Sequence, residues 1–301
     1  MKYYVGIDIG GTRIKMGIID ETGHVCVLEN EATTSTREEL MKQISDFIMS
    51  HEEYACEGVG ISMPGIANDD GFMQTSGAIK CFLKHNMKQE MEAYLDLPVV
   101  IENDSKSASI AEKWIGAAKH LDNFVCFTLG TAVGGAIYID GKLIRGLGGM
   151  AGEFGIAVCG KEKGNYNEQS FSYSAAVVAG LCRNYSYRVK ERVLDAKEIY
   201  RRAHAQDQNA IECIEQFYHD VALLLINTAA IIAPDAMLIG GGISANEEAM
   251  QGIQSAYQEI IQNYHVLSLV EMPKIMACEL KNEAGMIGAA RKMMLTKEDR
   301  K

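Results

Sequence analysis

The sequence predicts an α/β fold made of two related halves. Three observations carry that expectation. Two apolar runs, residues 3–9 and 13–19, flank a glycine turn in "VGIDIGGTRIKMG" (Val5–Gly17), which is a hairpin pattern. The same kind of unit returns at Phe124–Ile139, where an apolar run breaks at Gly130-Thr131 and a second run follows. Stretches of helical periodicity separate the strands in both parts.

The elements follow in order. After the first hairpin, residues 25–29 read as a third strand. Thr36 and Glu39 form a capping box for a helix whose apolar face is Leu40, Met41, Ile44, Phe47 and Ile48. Glu57–Ser62 returns to strand and is punctuated by Pro64-Gly65. Val99–Ile101 is a short strand ending in Glu102-Asn103-Asp104, and Ser105–Ile115 is helical. A polar stretch, Gly116–Asn123, separates the halves. In the second half, Asp140-Gly141 turns the returning hairpin. Helices are expected at Ser174–Tyr185, Ala196–Ala205, Glu212–Ile232 and Glu247–Tyr264, and a terminal one from Glu283. Strands are expected at Ala236–Ile239, running into Gly240-Gly241-Gly242, and at Lys274–Leu280.

A chain of 301 residues is long enough for one large or two medium domains. The net charge of −11 repels phosphodiester backbones and anionic lipid, so no nucleic-acid or membrane partner is expected. No apolar run approaches a membrane span, and "MKYYVGIDIGG" lacks a secretory apolar region, so a cytoplasmic protein is expected. The eight cysteines are scattered without a CxxC pair and read as thiols of a reducing compartment.

The chemistry starts at "DIGGT". A Gly/Thr turn between strands can present several backbone N–H groups and a hydroxyl to a phosphate, here from Gly10, Gly11 and Thr12. Asp8 at the strand end can hold Mg²⁺ on that phosphate, and Lys15 adds positive charge. Gly130 and Thr131 offer a second such turn, and Gly240, Gly241 and Gly242 can admit a nucleotide base or ribose against the backbone. The turn is neither a Walker A loop nor a dinucleotide fingerprint, since the lysine spacing and the following helix are missing. Each glycine turn taken singly also has a purely structural reading.

Three glycine turns in this order, with an acid on the first, resemble the sugar kinase, Hsp70 and actin superfamily. The stretches "MPG" (Met63–Gly65), "ENDSKSASIAEKW" (Glu102–Trp114), "LGTAVGGAIYIDGKLIRG" (Leu129–Gly146) and "GGMAGEFG" (Gly148–Gly155) narrow the resemblance to the ROK family of repressors, open reading frames and kinases. The resemblance implies two actin-like (ribonuclease H-like) lobes with a cleft between them. The small lobe would span 1–118 with a C-terminal helix at about 284–301, and the large lobe 119–283. It implies an ATP-dependent sugar kinase using Mg²⁺, with homodimers common. The Asp of "END", Asp104, would be the base that takes the proton of the attacking hydroxyl. As a sequence feature Asp104 also reads as a helix N-cap. The sugar would be held by Asn103, Asp104, Glu153 and Glu168, with backbone near Gly65 and Gly77.

The chain departs from the family in two places. Most members read "GExGH" before a cysteine cluster that holds zinc. Here Ile156 replaces the His and only Cys159 remains, so no zinc site is expected. Ala132 and Ala136 stand where glycines are usual, and Ala132 would crowd the phosphate turn if that position needed positive φ. "TSGAIKCFLKHNM" (Thr75–Met87) with "AEKWIG" and "GEFG" resembles the family's zinc-less bacterial β-glucoside kinases, which phosphorylate the 6-hydroxyl of the glucose unit in cellobiose-like sugars. A glucokinase, an N-acetylmannosamine kinase and a sugar-binding protein without catalysis are the alternatives. A repressor would carry a helix-turn-helix domain before the first hairpin, which here begins at Tyr3.

Overall fold

The computed structural model describes residues 1–298. The chain divides into two units. One comprises Met1–His120, Arg145–Ala151 and the residues from Asn282 onward; the other comprises Leu121–Ile144 and Gly152–Lys281. The short segment Arg145–Ala151, expected in the second lobe, thus groups with the first unit.

The first unit runs β1 (Tyr3–Ile9), β2 (Arg13–Asp20), β3 (Val25–Ala32), α1 (Arg37–Met49), β4 (Val59–Met63), α2 (Met87–Leu95), β5 (Val99–Asn103) and α3 (Asp104–Ile115). The second runs β6 (Phe124–Leu129), β7 (Val133–Ile139), β8 (Lys142–Ile144), α4 (Phe171–Ser174), α5 (Arg183–Val189), α6 (Ala196–His204), α7 (Gln208–Ile232), β9 (Ala236–Gly240), α8 (Glu247–Asn263) and β10 (Lys274–Ala277). The chain then returns to the first unit as α9 (Ala284–Glu298). No helix among the described residues is long and apolar enough to cross a membrane.

The two sheets have one topology. Strand order is β3-β2-β1-β4-β5 in the first and β8-β7-β6-β9-β10 in the second. In each, the first three strands are antiparallel and the last two join in parallel. The hairpin and its echo are therefore the opening strands of two copies of one plan.

Alternation along β1 decides what each sheet face does. Val5, Ile7 and Ile9 join Leu40, Ile44 and Phe47 of α1 and Met87 and Met91 of α2 in the core. Burying each such side chain contributes about 1.5–3 kcal/mol. On the other face, Gly6 lies in register with Gly17 of β2 and Gly60 of β4. A Cβ on Gly6 or Gly60 would run into the backbone carbonyls of Met286 and Ala289 in α9. The glycine row is the seat on which that helix lies at backbone distance. The second sheet buries Val125, Phe127 and Leu129 against Phe217, Val221 and Leu225 of α7.

Several elements depart from the sequence reading. Helix α7 starts a turn early because Asp207 caps it, accepting from the N–H groups of Asn209 and Ala210. The segment expected as one helix over Ser174–Tyr185 contains a π-helical turn at Val177–Cys182. The N–H groups of Val177 and Val178 turn away to the carbonyl of Gly130, and that of Ala179 to Thr131.

Candidate functional site

In the first unit the C-terminal ends of β1, β4 and β5 lie side by side, with Asp8, Ser62 and Glu102 in one register row. Asp8 Oδ1 accepts the Ser62 hydroxyl at 2.9 Å, and Lys15, opposite Asp8 on β2, approaches Oδ2 to 3.3 Å. A Cβ at Gly285 would stand 2.7 Å from the Asp8 carboxylate carbon. Gly285 lies in the first turn of α9, so the positive end of that helix faces the acid. A hydroxyl, an ammonium and a helix N-terminus thus converge on this acid. A single carboxylate so placed fits Mg²⁺, which is bound through one or two carboxylates plus substrate phosphates.

Gly10, Gly11 and Thr12 form the loop of the β1–β2 hairpin, and neither glycine has positive φ. Their lack of a side chain serves close approach instead. A Cβ on Gly11 would meet the Ala78 side chain at 2.9 Å. The β1–β2 hairpin therefore abuts the turn after Gly77.

The residues assigned to the sugar from this unit come together. Gly65, at φ +111°, lies against the Thr75 carbonyl, and Gly77, at φ +51°, packs on Pro64. Ile66 N–H donates to the Thr75 hydroxyl at 2.9 Å. Asn103 Nδ2 donates to the Gly65 carbonyl at 3.0 Å, while its Oδ1 accepts from Ser105 and Lys106 N–H at 3.0 and 3.2 Å. Asn103 is therefore the N-cap of α3, and the reading of Asp104 as that cap is corrected. Asp104 is the exposed first residue of the helix, with Oδ1 receiving Ser105 N–H at 2.7 Å. Cap, loop anchor and candidate base are thus consecutive functions of two residues.

In the second unit the Gly130-Thr131 turn is tied to the π-helical turn through its carbonyls. Ala132 is not among the residues with positive φ, so its methyl group brings no backbone strain there. Gly241, at φ +88°, faces the Leu129 carbonyl closely enough to exclude any side chain, which fixes the Gly240–Gly242 turn beside the end of β6. Glu153 is half-buried and flanked by Gly152 and Gly155, whose missing side chains let this stretch lie on the backbone of β7. Glu168 is exposed in the loop that follows and accepts Asn165 Nδ2 at 2.6 Å.

Ile156 and Cys159, which the sequence resemblance sets against a histidine and a cysteine cluster, border that loop. Ile156 is 63 % exposed. Cys159 Sγ lies 3.1 Å from the Gln169 carbonyl. The Gln169 amide clasps the loop, accepting Glu162 N–H at 2.6 Å and donating to the carbonyls of Glu162 and Asn165 at 2.6 and 3.0 Å.

Comparison with known proteins identifies the chain. The model of the ROK family matches residues 4–296. The chain belongs to the ROK family. A β-glucoside kinase of Listeria monocytogenes is 30 % identical over 94 % of both chains. Among solved ROK structures, a protein of Streptococcus pneumoniae in complex with sucrose superposes with a TM-score of 0.88 at 28 % identity, covering 99 % of both chains. A glucokinase of Streptomyces griseus in complex with glucose and AMPPNP gives 0.79 at 26 % identity, covering 96 % of this chain and 98 % of the other. This ROK protein is a carbohydrate kinase with the actin-like fold of these relatives.

Sequence reasoning missed Ser62, Gly285 and Arg145. Ser62 and Gly285 act on Asp8 from other strands and helices, and only the register reveals them. Arg145 lay inside a quoted motif, but nothing local marks which carboxylate it meets.

Proposed function

We propose that this carbohydrate kinase transfers the γ-phosphoryl group of ATP to the 6-hydroxyl of a glucose unit in a β-glucoside such as cellobiose. The observation that carries the reading is the shared sheet edge: Asp8 and the Asn103-Asp104 pair end β1 and β5, one strand apart, with Gly65 and Gly77 between them in the loops after β4. Asp104 takes the hydroxyl proton as the oxygen attacks phosphorus, and ADP leaves with the bond electrons. Gly10, Gly11, Thr12, Gly130 and Thr131 are assigned to the phosphates, and Gly240–Gly242 to the rest of the nucleotide. Asp8 would hold Mg²⁺, which supplies charge neutralisation on the phosphate oxygens. Asn103, Glu153 and Glu168 are assigned to sugar hydroxyls. The exposed Ile156, set by the resemblance at a sugar-contacting His, and the β-glucoside kinase among the relatives support an acceptor longer than glucose. The glucose complex of the Streptomyces relative favours glucose itself as the second reading.

A coupled ADP-release screen against cellobiose, gentiobiose, salicin, glucose, N-acetylmannosamine and N-acetylglucosamine tests it. Cellobiose or salicin should give the highest kcat/KM, and a clear preference for glucose overturns the β-glucoside assignment. Asp104→Asn should lower turnover by ~10²-fold or more with little change in the KM for ATP. Unaltered turnover removes Asp104 as the base.

A further inference from the structure

Glu102 and Arg145 belong to none of the groups assigned to sugar or nucleotide, yet they act on the backbone that carries Asp104. Glu102 is 2 % exposed. A carboxylate that far from water persists only when it is paired and hydrogen-bonded on both oxygens. Its Oε2 receives Arg145 Nη1 in a short charge-assisted contact, and its Oε1 accepts the N–H of Asn103 at 3.0 Å. One buried carboxylate thus joins a guanidinium to the first peptide of the Asn103-Asp104 pair. Arg145 uses Nε for Asp69 Oδ1 at 2.8 Å, but Asp69 is 84 % exposed and that pair is screened by water. The Glu102 contact is the one that fixes geometry.

The segment opened by Arg145 is fastened elsewhere too. Gln74 Nε2 donates to the Gly148 carbonyl at 2.8 Å. Gly149, at φ +83°, lies where a Cβ would stand 2.8 Å from the Ala67 carbonyl. The ion pair therefore ties Arg145–Ala151 to the same group of loops that Asn103 holds through Gly65.

The geometry points to Arg145 as a positioning residue for phosphoryl transfer. Acting through Glu102, it locks the peptide entering Asn103 and thereby the direction in which Asp104 leaves the sheet. A guanidinium suits this place because its planar, rigid fork aims an N–H at Glu102 in a fixed direction, which a freely rotating ammonium does not. This inference rests on the reading of Asp104 as the base.

The test compares Arg145→Met, Arg145→Lys, the double variant Arg145→Met/Glu102→Gln and Asp104→Asn, assayed with ATP and cellobiose, or with glucose if that is the better acceptor. Arg145→Met should lower kcat by roughly 10²-fold while the KM for ATP stays within about twofold, since misplacement of a reacting group acts on turnover. Arg145→Lys keeps the charge but not the fork and should lose about fivefold. The double variant removes the uncompensated buried charge. It should recover the thermal midpoint of the wild type while still turning over about tenfold more slowly or worse. Wild-type kcat in a folded Arg145→Met, or in the double variant if the single one does not fold, overturns the positioning role. Wild-type turnover in Asp104→Asn instead overturns the base reading, and this inference with it. Loss in Asp104→Asn beside full activity in the double variant overturns the inference alone.

Discussion

Three glycines in register, Gly17, Gly6 and Gly60, cross β2, β1 and β4 of the first sheet; Ala136, Cys126 and Leu238 occupy the matching places of the second. Two residues further along, the first sheet has Lys15, Asp8 and Ser62, and the second has Gly134, Thr128 and Gly240. Strand order, direction and hairpin position are shared; the side chains that bear charge are not. The duplication preserves a scaffold, because strand pairing tolerates many side chains. It does not preserve a site, because Asp8 is set among a hydroxyl donor, a cation and a helix end together, and Thr128 stands at its matching place. Only the first unit supplies all three. The glycine row belongs to that difference, since it lets α9 come close enough to bring Gly285 against Asp8.

The contrast can be broken at its strongest point first. Gly60→Ala would push a methyl group into the Ala289 carbonyl of α9. A backbone obstacle yields poorly, so a loss of about 3 kcal/mol is expected in denaturant unfolding. Stability within about 0.5 kcal/mol of wild type would show that α9 is not seated as described. Next comes chemistry. Asp8→Asn should reduce kcat/KM for Mg·ATP by ~10²-fold, whereas Thr128→Val in the matching row should cost less than about tenfold. Equal losses at the two positions would mean that the two hairpins share the acid's task. The smallest effect sharpens the packing side. Ala136→Gly, which makes β7 resemble β2 at the matching place, should destabilise by only about 1 kcal/mol, through backbone entropy and the loss of one buried methyl group. A stabilisation there would argue that a helix backbone approaches the second sheet as well.

Much of this was legible in the residues. The capping box of Thr36 and Glu39 is present with both of its hydrogen bonds. The two hairpins were readable because apolar runs and glycine turns are local signals. Helix α2 was not, although Asn86 caps it, because nine residues with only Met87 and Met91 buried give a weak period. Strand β8 is three residues long and exists through pairing with β7. The π-helical turn depends on the carbonyls of Gly130 and Thr131, far earlier in the chain, and no local pattern announces that. At the site, the glycines of the first hairpin were singled out for backbone approach to a phosphate; the packing of Gly11 on Ala78 was not legible, because Ala78 lies far along the chain. The motif "END" marked three residues without saying that its Glu is turned inward to an arginine while its Asn caps a helix.

The return of the chain to its first unit carries a consequence for biosynthesis. The sheet that bears Asp8 is translated early, but the helix that covers its glycine row begins at Ala284. A nascent chain stalled in the second unit displays that bare row to the cell and has no helix end beside the acid. Premature termination or trimming near the carboxyl end should therefore yield an open, chaperone-dependent and inactive species, even though every residue assigned to ATP and sugar has already been made.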